Sequence, residues 1–181
     1  MMIPTLETAR LRLRAFEESD ARELHRILSQ PNILQYFPGP DDPPPPEKAV
    51  RFIERQLAMW QDKGYAWWAI EDKATGKLLG WNGLQYLPET DETEIGYLID
   101  RDVWGQGLTT EAGRVGLRFA FEDCGLTEII GLAHPENGAS RRVLAKLGLR
   151  FDQVTEYFEM TVARYTLTAS QYAAQQKQTR E

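Results

Sequence analysis

The chain has 181 residues, 42% hydrophobic and 27% charged, which are the proportions of one soluble domain long enough to bury a core of its own. Its formal net charge of -6 argues against a general nucleic-acid surface, because phosphate binding needs a basic excess. The same charge fits a basic or amine-bearing partner, but solubility alone explains it as well.

The opening MMIPTLETAR has no basic segment followed by an apolar run, so it does not read as a signal peptide, and no later stretch approaches a membrane span; the cytoplasm is the expected location. RLRLRAF, Arg10 to Phe16, alternates polar and apolar residues as a half-buried strand does. Asp20 with Glu23 resembles a capping box and predicts a helix through Leu24, Ile27 and Leu28 that stops near Pro31. FPGPDDPPPPE, Phe37 to Glu47, holds four successive prolines and so reads as a stiff exposed loop or lid, with Asp41 and Asp42 offering charge to an amine. Val50, Ile53, Leu57 and Trp60 then recur at helical spacing until Gly64. Tyr65 to Glu71, Leu78 to Leu87 and Thr93 to Ile99 follow as three strands whose short connections predict an antiparallel meander. Trp67, Trp68, Trp81 and Tyr86 lie on it, most of them expected core, and Asn82 reads either as a cleft residue or as a solvent-facing one.

After WGQGLTTEA, Trp104 to Ala112, a helix presents Ala112, Val115, Gly116, Phe119 and Ala120 on one face. Ala112, Gly113 and Gly116 are small enough to let it sit close to a sheet. Cys124, the chain's one cysteine, falls near its end and reads as a small core residue. With only His25 and His134 beside it, no zinc spacing is present and no internal disulfide is available. Gly125 is a plausible cap. Glu128 to Ala133 is a strand, Asn137 to Leu147 a helix, and strands run from Leu149 to about Tyr157 and from Met160 to about Leu167. The polar tail beyond about residue 168 is expected to be loose from Gln175. The order predicts one mixed α/β domain, its core spanning about residues 6–168.

Gly105 and Gly107 stand between a strand and a helix, where unpaired amides and the helix dipole favour an anion. Glycine lets the backbone come within hydrogen-bond reach of a phosphate. Thr109 and Thr110 add hydroxyls, and Glu111 must point away. A tight turn is the plain alternative. Neither a P-loop nor a full GxGxxG is present, which leaves an anion site without lysine or obvious metal.

WGQGLTTEA together with NGASRRVLAKLG, Asn137 to Gly148, resembles the GNAT acetyltransferase superfamily, and most closely the branch of ribosomal-protein N-terminal acetyltransferases. The resemblance runs from Leu6 to the strands after Gly148. It implies a mixed, mostly antiparallel sheet of about six to seven strands with about four helices, splayed between the fourth and fifth strands. The family pattern Arg/Gln-x-x-Gly-x-Gly/Ala falls on Trp104 to Thr109, with departures at Trp104 and Thr109. By this resemblance acetyl-CoA is the acetyl donor. Its pantetheine pairs with Leu98, Ile99 and Asp100, its pyrophosphate meets the amides of Gly105, Gln106, Gly107, Leu108, Thr109 and Thr110, and Asn137 bonds its backbone or else caps a helix. Arg141, Arg142 and Lys146 form a basic edge; Arg142 is assigned to the cofactor, with a solvated helix face as the alternative.

The implied reaction is attack of an amine on the thioester, which requires a base, oxyanion donors and help for the departing thiolate. Glu94 is the expected base, with Glu92 and His134 as lesser candidates and a surface role as the alternative. Leu144 stands where many GNAT enzymes carry a tyrosine acid, so Ser140, three residues after Asn137, is the expected helper, or else a packing residue. The expected acceptor is a protein N-terminus. A small amine such as a polyamine or aminoglycoside, or a non-catalytic acyl-CoA sensor, are the competing readings. No metal, nucleic acid or membrane partner is expected, and the chain is expected to be a monomer or homodimer.

Overall fold

A computed structural model describes residues 2–39 and 43–180. Asp41 and Asp42 lie outside the described residues. Two short strands, β1 (Leu6–Glu7) and β2 (Leu11–Arg14), precede α1 (Ala21–Leu28) and α2 (Pro46–Lys63). The meander is β3 (Trp67–Asp72), β4 (Leu78–Leu87) and β5 (Glu92–Ile99). Then come α3 (Leu108–Arg118), β6 (Glu128–Ala133), α4 (Gly138–Lys146), β7 (Arg150–Tyr157), β8 (Met160–Thr168) and α5 (Ala169–Arg180). The eight strands form one sheet in the order β1-β2-β3-β4-β5-β6-β8-β7, antiparallel except for the parallel β5–β6 pair. The mixed sheet was expected; it carries one strand more than the upper count, and α5 adds a fifth helix.

Local chemistry sets the helix ends. Proline at the first turn of α2 loses no helical hydrogen bond, because that N–H has no partner in any helix. Gly64 closes the same helix in a left-handed conformation, φ 75°. The capping box before α1 falls one turn earlier than expected. Asp20 accepts the Glu17 N–H at 2.8 Å while Glu17 receives Asp20, and Arg14 fixes Asp20 by an ion pair. Glu23 instead pairs with Arg26.

Each sheet face has its own apolar cluster. Leu24, Ile27, Leu28 and Ile53 of α1 and α2 pack on Ala69, Leu78, Trp81 and Leu98. Ala112, Leu117 and Leu144 of α3 and α4 pack on the other face against Leu13, Ile70, Ile95 and Ile129. Trp60 reaches from the end of α2 to Trp68, ring centroids 4.8 Å apart, and both are fully buried. Each such side chain contributes about 2–3 kcal/mol by leaving water.

The small residues of α3 do let it approach. A Cβ on Gly113 would stand 2.7 Å from Leu147, and one on Gly116 2.8 Å from Asn82 Oδ1. Asn82 therefore lies under α3, wholly buried, with Nδ2 donating to the Gly96 carbonyl at 3.4 Å. Neither reading of it, cleft or solvent, holds. Tyr86 is also not core: its hydroxyl donates to Asp91 and Lys63 lies over its ring. Cys124 packs partly buried against the α3-side cluster, and burial pushes its thiol up to about 11.

The tail is not loose. It forms α5, which buries Tyr172 against Phe121, centroids 4.8 Å apart, and lets Gln175 donate to the Gly148 carbonyl.

Candidate active site

β5 and β6 are in register only at Glu94 and Ile130 and then part. A cleft of about 950 Å³ opens where they diverge. One end is built by the β5 terminus, the glycine turn and α4. The other is bounded by Arg55 of α2 and by the segment after α1, where Tyr36, Phe37 and Pro38 form a wall.

The glycine turn has the shape an anion site needs. Gly105 and Gly107 have φ of 77° and 76°, a left-handed conformation, so the turn demands glycine on its own account. A Cβ on Gly105 would meet nothing within 4 Å, and one on Gly107 only Arg10 Nη2 at 3.9 Å. The space a side chain would fill is thus open beside the first amides of α3. Gly105, Gly107, Leu108, Thr109 and Thr110 line the cleft, while Gln106 is exposed outside it with its carbonyl accepting from Arg10. Glu111 points away, as the anion reading requires: it accepts from the Thr8 hydroxyl at 2.5 Å and from the Arg10 N–H at 3.0 Å. Burial acts to raise its carboxyl, but these bonds outweigh that and lower it.

At the β5 terminus Leu98 and Ile99 line the cleft and Asp100 does not. The Asp100 amide already donates to Leu79 at 2.7 Å, and its carboxylate holds Arg26, Gln30 and the Asp102 N–H. Its place in the expected cofactor set falls for that reason: its groups are spent tying α1 to the sheet. Trp104 donates its indole N–H to the Ile99 carbonyl at 2.8 Å, so the departure from the family pattern fastens the glycine turn to β5.

On α4, Asn137 caps the helix, accepting the Ser140 N–H at 3.0 Å, and it also lines the cleft with Ser140, Arg142 and Lys146. Arg141 is turned to the Tyr165 hydroxyl and the Pro135 carbonyl. Ser140 does face inward. Its Oγ lies 3.0 Å from the hydroxyl of Tyr97, which also donates to the Ser140 carbonyl at 3.1 Å. Burial raises the Tyr97 phenol and keeps it protonated, with Ser140 pulling the other way and Glu94 adding to the rise. Sequence reasoning missed Tyr97. The signal was the period of two along TEIGYLI, which places it opposite Glu94, on the α4 side of the strand.

Glu94 lines the cleft where the strands part. One side opens to the cleft, yet the surrounding protein removes enough water to push its carboxyl up to about 8, against a smaller opposing hydrogen bond from the Leu132 backbone. Glu92 is outside the cleft, paired with Arg164 and the Tyr157 hydroxyl. His134 lines the cleft stacked on Tyr36, and its Nδ1 accepts the Glu136 N–H at 3.2 Å, a loop-holding role. Trp67 and Trp81 stack at 5.8 Å on the α2 side of the cleft, while Trp68 is core. No group of three or more His, Cys, Asp or Glu among the described residues is arranged to hold a metal ion. No helix among them is long and apolar enough to cross a membrane.

Residues 10–150 match the family described as an acetyltransferase (GNAT) domain. The uncharacterized protein YkkB of Bacillus subtilis is 32% identical over 165 residues, 88% of this chain and 93% of that protein. The FsC-acetyl coenzyme A-N(2)-transacetylase of Aspergillus fumigatus is 29% identical over 196 residues, 96% of this chain and 80% of that one. Among solved structures, the ribosomal L7/L12 alpha-N-protein acetyltransferase RimL, in complex with coenzyme A, superposes with a TM-score of 0.75 at 21% identity, covering 93% of this chain and 98% of its own.

Proposed function

The chain belongs to the GNAT acetyltransferase family and is an acetyl-CoA-dependent N-acetyltransferase, and from that premise we propose that it acetylates an α-amino group, that of a protein N-terminus, with Glu94 as the base. Glu94 itself carries the reading. It stands at the parting of β5 and β6 with a carboxyl near 8, beside the about 7.7–8.0 of an α-amino group. The reaction needs a neutral amine, and an α-amino group gives up its proton more readily than a lysine-like amine, at about 10.4.

Acetyl-CoA fits the open glycine cradle and supplies an activated acetyl thioester when bound. The amides of Gly105 and Gly107 to Thr110, with the α3 dipole, are assigned to its pyrophosphate. Arg142 supplies a cation from α4. Glu94 takes one proton from the acceptor ammonium; the amine nitrogen forms a bond to the acyl carbon, the C–S bond breaks with its electron pair leaving on sulfur, and the second nitrogen proton passes to water. Ser140 gives a hydrogen bond to the departing sulfur. The Tyr97 hydroxyl, 3.0 Å from Ser140 Oγ, holds the serine side chain at the cleft. With a thiol pKa of about 8.5 the sulfur leaves without full protonation, so one donor suffices.

A second reading, a small amine acceptor, is favoured by the similarity to the A. fumigatus protein, whose name describes N(2) acetylation. Release of free thiol, measured with peptides bearing a free N-terminus, with N-blocked lysine peptides and with small amines, separates the two. A preference for blocked lysine peptides would remove the α-amino reading.

A further inference from the structure

The end of the cleft beside α2 is lined by an exposed arginine and by two tryptophans whose indole N–H groups are buried and without a partner. Arg55, exposed on α2, lines it together with Trp67, Gln85 and Glu94, and no ion pair or hydrogen bond engages its guanidinium among the described residues. The indole N–H groups of Trp67 and Trp81 are buried, and neither finds an acceptor. Such orphans are rare in folded proteins and call for an explanation.

The sheet makes this arrangement. Gln85 is opposite Glu94 and Gly83 opposite Gly96, so two bare positions adjoin in the middle of the floor. A Cβ on Gly96 would come 3.0 Å from Trp67 Nε1, so the glycine is what lets that indole lie over β5. Trp81, on the same face, stacks behind it. Arg55 overhangs from α2. Acidic side chains lining the cleft, among the described residues, are Glu94 and Glu136. Glu136 belongs to the turn before α4, away from this wall.

We infer that the acceptor carries a carboxylate close to the amine it presents, received by Arg55 and by the Trp67 and Trp81 indoles. A carboxylate brings two oxygens and about four acceptor positions, which meets a guanidinium fork and neutral N–H donors together. A polyamine brings only donors and further positive charge, which would leave the indoles unpaired and face Arg55 with a like charge. The inference rests on the acetyltransferase reading and narrows its acceptor. The carboxylate comes from a free amino acid or from an acidic residue at the start of a peptide.

The test measures thiol release with free amino acids, with peptides having Glu or Lys at their second position, and with spermidine, each carboxylate acceptor compared with its carboxamide. The native enzyme should favour the carboxylate by ten-fold or more in kcat/KM. Arg55→Gln should erase that ratio through KM, Arg55→Glu should shift preference toward spermidine, and Trp67→Phe should raise KM for the carboxylate several-fold. In all three the acetyl-CoA dissociation constant should hold. Better turnover of free amino acids, or of Glu-second peptides, identifies the source and supports the inference in either case. Equal use of acid and amide, a ratio that persists in Arg55→Gln, or spermidine as the best native acceptor overturns the inference and leaves the acetyltransferase reading standing. Binding of acetyl-CoA with no thiol release from any acceptor overturns both.

Discussion

Glu94 carries the sharpest expectations at the scale of single residues. A base with a carboxyl near 8 is mostly protonated at neutral pH, so turnover should rise with pH until about 8. Glu94→Gln should lower kcat by about 10²–10⁴ and remove that limb of the profile. The same shift acts on stability. The folded-state value lies above the ordinary 4.5, so between about 4.5 and 8 the folded protein holds a proton that the unfolded chain has lost. This group's contribution therefore falls as pH rises through that window, and Glu94→Gln should flatten the decline in urea midpoints from pH 5 to pH 8. A variant whose midpoints track the native protein's across that range would show Glu94 to be ordinarily hydrated. Ser140 and Tyr97 form the other pair. Ser140→Ala should slow turnover by up to about 10²-fold while acetyl-CoA binds as before. Tyr97→Phe should slow it less, because water can still orient the serine. A full-rate Ser140→Ala enzyme would return the serine to packing.

Among the elements, α5 shows what the sequence hid. ASQYAAQQKQTR has no apolar stripe, so nothing in its pattern separates a docked helix from a solvated tail. Its attachment rests on Tyr172 stacking on Phe121 and on Gln175 reaching Gly148, contacts made by residues about 50 and 27 positions away in the chain. Tyr172→Ala should cost about 3 kcal/mol in a urea titration. A loss near zero would mean that α5 frays in solution. By contrast α2, α3, α4 and the meander were legible, because their signals are local: a proline at a first turn, glycines at helix ends, a period of two or of 3.6. The site divides the same way. The glycine turn, Asn137 and Ser140 fall in short motifs, and Glu94 was singled out by its place on the strand that the family resemblance puts at the cleft. Asn82 was misread because its face is decided by the absent side chain of Gly116 on another element. Arg55 reads in sequence as the solvated side of a helix, and only the placement of α2 over β3 to β5 brings it to the cleft.

For the whole molecule, the organising feature is that β5 belongs to both cores. Ile95 and Ile99 pack toward α3 and α4, and Leu98 packs toward α1 and α2. The strand that parts from β6 to open the cleft is therefore also the one that holds the two layers in register, and a donor bound along it should steady the entire fold. A ligand at a hundred times its dissociation constant adds about 2.7 kcal/mol to stability. For a chain of this length that corresponds to a rise of roughly 5–10 °C in Tm. Gly107→Val tests whether the glycine cradle is what couples the two. Valine at φ 76° is strained, by about 1–3 kcal/mol, so the unliganded Tm of the variant should fall somewhat. The informative quantity is the increment on adding acetyl-CoA, which the starting Tm does not set. Its affinity should drop by about ten-fold or more, which removes about 1.4 kcal/mol and thus roughly half of the increment at the same ligand concentration. Calorimetry at a temperature where both proteins are folded measures the same change directly. An increment equal to the native one would show that the left-handed turn serves the backbone alone, and the pyrophosphate would then have to be sought nearer Arg142 and Lys146.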